Sequence, residues 1–447
     1  MSARFNTLPE WLRWQEQLHV REIDLGLERA RRVLEALGLP PTTWPVITVA
    51  GTNGKGSTVA MLESMLRSAG LRVGCYSSPH LLRYNERIRM DGVPVEDQPL
   101  CEAFARVDAA RADVSLTYFE FGTLAAFDLF SRAGLDAAVL EVGLGGRLDA
   151  VNAIDADVAV VTGIGIDHVE WLGPDRESIG REKAGVFRSG HVAICSDPEP
   201  PTSIAAQAQS AGARLRQLGR DFHYQGHADG WDWQGVATSL PGLPLPALSG
   251  RVQLQNAAGV LAAIEALERP ALLSPAVVAR GLTSVRLPGR FQVLPGNPPV
   301  ILDVAHNPHA AVRLAETLAE QAPVARTVAV TGMLRDKDAA GVFERLLPFV
   351  DSWYVCELDS PRAAPAAQLA AALAGLAAPG EIHLAASVPE ALEAARAEAG
   401  REGRVLVFGS FLTVAAALAL QAQPSPRQDE SPAPMTDLNA IRRVERR

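Results

Sequence analysis

The chain has 447 residues, 48% of them apolar, and its 42 Lys and Arg against 51 Asp and Glu leave a formal net charge of −9. That length exceeds one ordinary hydrophobic core and implies about two domains. An acidic balance excludes nucleic acid and anionic membranes as partners, so an anionic small substrate has to find its cations in particular loops.

The first ten residues lack an apolar signal core, and no stretch of the sequence is long enough to span a bilayer. From Leu8 to Leu39, Trp11, Leu12, Trp14, Leu18, Leu25, Leu27, Leu34 and Leu37 recur among charges, which predicts two helices covering a sheet. Val46 to Ala50 is a short β-branched run, read as a buried strand, and Val59, Leu62, Met65, Leu66 and Ala69 recur at helical spacing up to Gly70. Between strand and helix lies Gly51-Thr-Asn-Gly-Lys-Gly-Ser57. Its glycines let successive N–H groups approach a phosphate, the helix N-terminus adds partial positive charge, Lys55 reaches the outer phosphates, and Ser57 offers a hydroxyl to magnesium. The strict P-loop spacing is broken twice, because only Thr52 and Asn53 separate Gly51 from Gly54 and because Gly56 intervenes between Lys55 and Ser57. The alternative is a glycine-rich turn with a solvated lysine.

A strand is expected from Leu71 to Tyr76, followed by a long polar loop to Gly92 in which Pro79 bars a helix. Its Arg83, Arg87 and Arg89 form either a solvated face or an anion-facing one. Helices are expected from Glu96 to Ala110 and from Leu116 to about Ala133. The strand Asp136 to Val142 carries Glu141 at its end, either a magnesium-side carboxylate or a cap for the next loop, and Gly143 to Asp149 is a second glycine-rich loop. After the strand Asp157 to Thr162, His168 is either a structural residue or, with Glu141 on the same sheet edge, a metal ligand. A helix over Asp175 to Phe187 turns Lys183 toward that edge, and short antiparallel strands fill Phe222 to Leu248. Asn256 falls inside an apolar helix starting near Gly250, as a mild defect or an exposed position. The Pro- and Gly-rich stretch Arg280 to Pro299 marks a domain boundary.

The second half is a plain βα alternation, with strands near 300–304, 327–331, 352–356, 381–384 and 405–408, predicting a smaller, mostly parallel sheet. Polar residues cluster at its strand ends, in Asp303 to Pro308, Gly332 to Asp338 and Gly409-Ser410. Residues 421–447 are Pro-, Ser- and charge-rich and are expected to be disordered. The cysteines Cys75, Cys101, Cys195 and Cys356 have no CxxC pairing and read as small buried hydrophobes in a reducing cytoplasm.

Jointly the motifs Gly51 to Ser57, Tyr76-Ser-Ser-Pro-His-Leu81, Thr117-Tyr-Phe-Glu120, Glu141 to Ala150, Asp167-His168, Glu182-Lys-Ala-Gly185, Pro288-Gly-Arg290 and Asp303-Val-Ala-His-Asn-Pro308 resemble the folylpolyglutamate synthase and dihydrofolate synthase family, from about Trp11 to Leu420. The resemblance implies an α/β fold: a P-loop NTPase-like N-terminal domain over 1–287 with a mostly parallel sheet, and a smaller Rossmann-like C-terminal domain over 288–420. It implies that Thr52, Asn53, Gly54, Lys55, Gly56 and Ser57 cradle the phosphates of ATP, that Asn256, Arg290 and Asp303 complete the nucleotide site, and that Ser78, Glu141 and His168 hold Mg2+. Lys183 would be carbamylated, His306 and Ser410 would meet the incoming L-glutamate, and Lys55, Lys183 and His306 would carry catalysis. Thr117, Tyr118, Phe119, Glu120, Leu148, Asp149 and Ala150 would contact the pterin of dihydropteroate or folates, as in the bacterial bifunctional enzymes. Val304 and Val151 stand where Gly and Thr are usual in the family, and neither removes a donor, acceptor or ligand. The expected protein is a cytoplasmic monomer whose lobes close over ATP, with the 280–299 segment as hinge. Its rivals are a synthase-only enzyme, a muramyl amino-acid ligase, for which the two helices before Val46 leave too little chain for a UDP-sugar domain, and a nucleotide-switched binding protein without ligation chemistry.

Overall fold

The structure, a computed structural model, describes residues 3–422; the stretch 423–447 of the expected disordered tail lies outside the described residues. Eight strands, β1 (Val46–Ala50), β2 (Val73–Tyr76), β3 (Ile88–Met90), β4 (Val93–Pro94), β5 (Ala137–Glu141), β6 (Val158–Val161), β7 (Val192–Cys195) and β8 (Arg214–Gln217), form one sheet in the order β4-β3-β2-β5-β1-β6-β7-β8. The run from β2 to β8 is parallel, and β3 and β4 add antiparallel strands at one edge. The polar loop expected after Tyr76 therefore contains a strand, β3, preceded by a turn of 3-10 helix over Tyr84–Arg87.

The sheet is buried on both faces, as a parallel sheet flanked by crossover helices requires. Ile47, Val49, Val73, Val139, Val160 and Ile194 point to one side, against α3 (Lys55–Ser68), with α9 (Val252–Glu265) and α10 (Pro275–Ser284) in the same layer. On the other side, residues one step out of phase meet α4 (Asp97–Arg111) and α5 (Tyr118–Arg132) beside β2 and β5, and α7 (Arg176–Lys183) and α8 (Thr202–Ala211) beside β6 and β7. A single turn, α6 (Val169–Leu172), precedes α7. The first two helices, α1 (Leu8–Leu18) and α2 (Glu28–Leu37), pack chiefly on α4 and α5 and so form a third layer rather than the expected cover of the sheet. Trp11 drives this, fully buried with its ring 5.9 Å from Phe104 and 6.4 Å from Phe121. The expected antiparallel strands after Phe222 form a three-stranded sheet, β9 (His223–Gly226), β10 (Trp231–Gln234) and β11 (Ser239–Leu243).

The second sheet has the order β12-β13-β17-β14-β15-β16. Its strands are β12 (Gln292–Leu294), β13 (Val300–Leu302), β14 (Thr327–Thr331), β15 (Ser352–Cys356), β16 (Ile382–Ala385) and β17 (Arg404–Phe408), all parallel except the edge strand β12. Helices α11 (Pro308–Ala319), α12 (Ala339–Leu346), α13 (Ala366–Gly375), α14 (Val388–Ala399) and α15 (Phe411–Ala422) cover its two faces. The Arg280–Pro299 stretch is thus not all connector: α10 occupies it to Ser284, and β12 already belongs to the second sheet. Asn256 is buried at 3% exposure, so it is not an exposed position.

Candidate active site

Strands β1, β5 and β6 are adjacent, and the loops leaving their C-terminal ends converge, the usual ligand edge of an open parallel sheet. With the ends of β13 and β17 opposite, they enclose a cavity of about 1100 Å³ lined from both lobes.

The β1–α3 loop forms its floor. Gly54 is the N-cap of α3 at φ +93 and no side chain caps the helix, so the N–H groups of Lys55, Gly56 and Ser57 are left without intrahelical partners. Thr52 and Asn53 of the expected cradle line the cavity, but their backbone amides are already engaged. Both donate to the Gly163 carbonyl, at 2.9 and 3.2 Å, while the Thr52 hydroxyl donates to Gly165 O, so these two residues tie the loop to the end of β6. Asn256 lies against the loop from α9: a Cβ on Gly54 would stand 2.6 Å from its Oδ1. From the other lobe, Arg290 brings Nη2 to 3.4 Å from the Cβ position of Gly56, and its guanidinium lies 5.1 Å over the Phe411 ring. Asp303 holds that corner by accepting from the N–H groups of Phe291 and Ala305, both at 2.8 Å.

Two lysines share one acceptor. Lys55 Nζ donates to Gly51 O at 3.0 Å and Thr52 O at 3.3 Å, and Lys183 Nζ, at the end of α7, donates to the same Gly51 O at 3.0 Å. Burial, then the charge of Lys55, pushes the Lys183 ammonium down to about 7, and burial also lowers Lys55, against the attraction of Glu141. Glu141 is 4% exposed and takes one hydrogen bond, from Ser78 N at 3.2 Å; burial raises its carboxyl, with Lys55 and Arg290 opposing.

His168 sits in the left-handed region at φ +51, and burial pushes its imidazole down to about 4, leaving it neutral with a free lone pair. A buried carboxylate with unused acceptor capacity, a serine and a neutral imidazole suit a divalent cation, with Ser57 as a further hydroxyl. Among the described residues no three His, Cys, Asp or Glu side chains converge on one point, so such an ion would draw part of its coordination from a bound nucleotide.

His306 and Ser410 both line the cavity; His306 Nδ1 is 2.8 Å from Val304 O, and its ring faces Phe411 at 6.2 Å. The seven residues expected at a pterin are not brought to the cavity surface as a set. Thr117 and Glu120 cap α5 reciprocally, and Glu120 also takes an ion pair from Arg29 at 3.1 Å. Asp149 is buried, accepts from Leu144 N and Val151 N, and is pushed up to about 7 by burial. Leu148 is half-buried, its carbonyl accepting from Gly26 N, and Ala150 is buried. Tyr118 and Phe119 come nearer: Tyr118 packs on Tyr84 beneath Arg87, and Phe119 fills the space beside Gly143, both Arg87 and Gly143 being part of the wall.

The three loop arginines separate. Arg83 is exposed and pairs with Asp97; Arg89, within β3, is held by Glu63 at 2.9 Å; of the three only Arg87 reaches the cavity, its Nε donating to His80 Nδ1 at 2.8 Å. Sequence reasoning assigned no role to Asp167, Asn307, His309 or Lys337, which tie the lobes together. The one signal for Lys337 was its place in the polar cluster following β14.

The family model for the Mur ligase middle domain matches residues 49–264, and that for the Mur ligase glutamate ligase domain matches 289–411. The chain is 49% identical over 410 residues to the dihydrofolate synthase/folylpolyglutamate synthase of Escherichia coli, covering 91% of this chain and 94% of that one. It is 32% identical to the Mycobacterium tuberculosis protein of the same name, covering 91% of each. The Escherichia coli structure solved with DHPP and ADP superposes with a TM-score of 0.88 at 47% identity, over 94% of this chain and 99% of that one. A Yersinia pestis bifunctional enzyme solved with AMPPNP and Mn superposes at 0.87 and 47% identity, over 95% and 100%. A further bifunctional enzyme of equal similarity has Mn, AMPPNP and L-glutamate bound.

Proposed function

The chain belongs to the dihydrofolate synthase/folylpolyglutamate synthase family of ATP-dependent ligases, and we propose that its cavity adds L-glutamate to 7,8-dihydropteroate, giving dihydrofolate, and to tetrahydrofolate, giving polyglutamates, through an acyl phosphate. The observation that carries this reading is the convergence of open α3 amides, Lys55 and Glu141 from one lobe with Arg290, His306 and Ser410 from the other on a single cavity.

Joining a carboxylate to an amine in water is uphill, so the carboxylate is first made electrophilic. Its oxygen attacks the γ-phosphorus of ATP, the bond to the bridging oxygen breaks, and ADP leaves. The α-amine of glutamate then attacks the acyl carbon, loses its proton, and inorganic phosphate departs with the former carboxylate oxygen. Charge builds up on the phosphoryl oxygens, where the N–H groups of Lys55, Gly56 and Ser57 and the Lys55 ammonium hold it in place, with Arg290 added from the far lobe. Ser78, Glu141 and His168 would hold Mg2+, which screens phosphate charge when bound. Asn256 and Asp303 keep Gly54 and Arg290 in place, and His306 and Ser410 orient the glutamate.

Lys183 is the proposed site of carbamylation. An amine whose ammonium is weakened to about 7 is substantially free base at neutral pH and attacks carbon dioxide, forming N–COO⁻ and releasing a proton. The product replaces a cation beside Lys55 with an anion. The pterin is proposed to rest near Tyr118 and Phe119, with Leu148 and Ala150 behind them and Thr117, Glu120 and Asp149 holding the backbone. Residues 1–287 are assigned to ATP and pterin, 288–420 to glutamate, with 285–291 as hinge. Four free cysteines suit a reducing cytoplasm, and a monomer is the proposed state.

The test is a product assay with ATP, Mg2+ and labelled glutamate, offering dihydropteroate and tetrahydrofolate separately. Label in both products is the expected result; ATP hydrolysis indifferent to either acceptor would overturn the reading.

A further inference from the structure

Asp167 lies in the loop between β6 and α6, and it gathers more polar contacts from the opposite lobe than any of its neighbours. Its Oδ1 accepts from Lys337 Nζ at 2.7 Å and from the His168 N–H at 2.9 Å. Its Oδ2 accepts from Asn307 Nδ2 at 3.0 Å and stands 3.5 Å from His306 Nε2. The Asp167 and Lys337 side chains are 11% and 7% exposed, so their pairing is shielded from solvent. Asn307 continues the connection to the P-loop: Asn53 Nδ2 donates to Asn307 Oδ1 at 3.1 Å and meets His309 Nδ1 at 2.8 Å. His309 can approach because Gly163 and Gly165 lack side chains; a Cβ on Gly165 would stand 3.1 Å from the His309 ring.

We propose that Asp167 and Lys337 are a pair of positioning residues that report lobe closure to His168. Docking of the C-terminal lobe delivers the Lys337 ammonium and the Asn307 amide to Asp167. Asp167, held from that side, fixes the His168 N–H and with it the left-handed turn at φ +51 that aims the imidazole into the cavity. A non-glycine residue in that region is strained and persists only where its surroundings hold it. With the lobes apart, Asp167 loses the Lys337 and Asn307 contacts, and the turn is free to relax. Closure and arrangement of the reacting end of the site thereby become one event. The inference rests on the ligase reading of the same cavity for its consequence, but the contact itself is independent of that reading.

The test uses the full-length chain in Lys337→Met, Lys337→Arg, Asp167→Asn and the Asp167→Asn/Lys337→Met double variant. Three quantities are measured on each: kcat in steady-state ligation, the ADP dissociation constant, and interlobe distance from a dye pair with one dye on each lobe. Loss of one partner of a shielded ion pair should lower kcat by at least about 30-fold while changing the ADP dissociation constant by less than about 5-fold, because the α3 amides remain. Lys337→Arg should recover most of kcat, and the double variant should be no worse than the poorer single one, as for two residues acting through one contact. The dye pair should report a more open distribution in Lys337→Met and Asp167→Asn. Full activity in Lys337→Met, multiplicative losses in the double variant, or lost kcat at an unchanged interlobe distance would each overturn the proposal. If the unsubstituted protein fails to ligate glutamate, the ligase reading falls, and the interlobe distance alone decides the role of the pair.

Discussion

Replacing Lys183 by Met should stabilise the nucleotide-free protein while abolishing ligation. The side chain is 4% exposed, and burial followed by the charge of Lys55 takes its ammonium from an ordinary 10.5 to about 7. The unfolded chain keeps the ordinary value. As pH falls from about 10.5 to about 7, the unfolded state takes up a proton that the folded state does not, and stability is lost at about 1.4 kcal/mol per pH unit. Below about 7 both states are protonated and the loss stays near 5 kcal/mol. At pH 8 the loss is about 3 kcal/mol. Met removes it and gives up the hydrogen bond to Gly51 O at 3.0 Å, a net worth of about 1 kcal/mol, so the variant should gain about 2 kcal/mol. The assay is urea unfolding from pH 7 to 10 in carbon-dioxide-free buffer with chelator. The unsubstituted protein should become more stable with rising pH, and the variant should lack that part of the slope. Adding bicarbonate should stabilise the unsubstituted protein alone and add the mass of one carbon dioxide. A variant that unfolds earlier at pH 8, with a pH slope equal to that of the parent, would refute the reasoning.

Gly54→Ala forces a side chain into a φ +93 conformation and against Asn256 Oδ1, 2.6 Å from the new Cβ. Left-handed strain of about 1–2 kcal/mol falls on the residue that sets the direction of the open amides, and the KM for ATP should rise at least about 10-fold in steady-state assays. Arg290→Met removes the far-lobe cation from the phosphates; kcat should fall about 100-fold, the usual loss for one transition-state donor, and unchanged ATP turnover would rule out a nucleotide site built from both lobes. Glu63→Ala leaves the Arg89 guanidinium, 2.9 Å away and 17% exposed, without its carboxylate, and should cost about 3 kcal/mol in urea unfolding while KM values stay within about 2-fold.

Most of the fold was readable because its strands are continuous apolar runs between glycine-rich turns. Val46 to Ala50 and Ala137 to Glu141 are buried on both faces, so the only pattern they can show is uninterrupted hydrophobicity. What was not readable depended on partners distant in sequence. Trp11 recurs at a spacing that predicts a helix, but nothing local says that its ring meets Phe104 and Phe121 rather than a strand. Asn256 looked like a defect because the group it serves, Gly54, lies some two hundred positions away. Nothing local pairs Lys337 with Asp167; the contact exists only once the loops that follow β6 and β14 meet.

The spacing of the phosphate loop is where sequence and structure instruct each other most. Read against a strict P-loop, Gly51 to Ser57 is two residues short before Lys55 and has one glycine too many after it. The shortening follows from where the amides go. Thr52 and Asn53 donate to Gly163 O, so the loop is pinned to the end of β6 by these two amides, while the N–H groups of Lys55, Gly56 and Ser57 at the start of α3 have no intrahelical partner. The additional glycine follows from the second lobe. A Cβ at position 56 would lie 3.4 Å from Arg290 Nη2, 3.7 Å from Leu287 Cδ2 and 4.0 Å from Glu141 Oε1, ordinary contact for a methyl group that leaves little room for a longer side chain. A P-loop that works within one domain has no need of that clearance. One that must admit an arginine from a second lobe does, and Gly56 is the residue that leaves room for it.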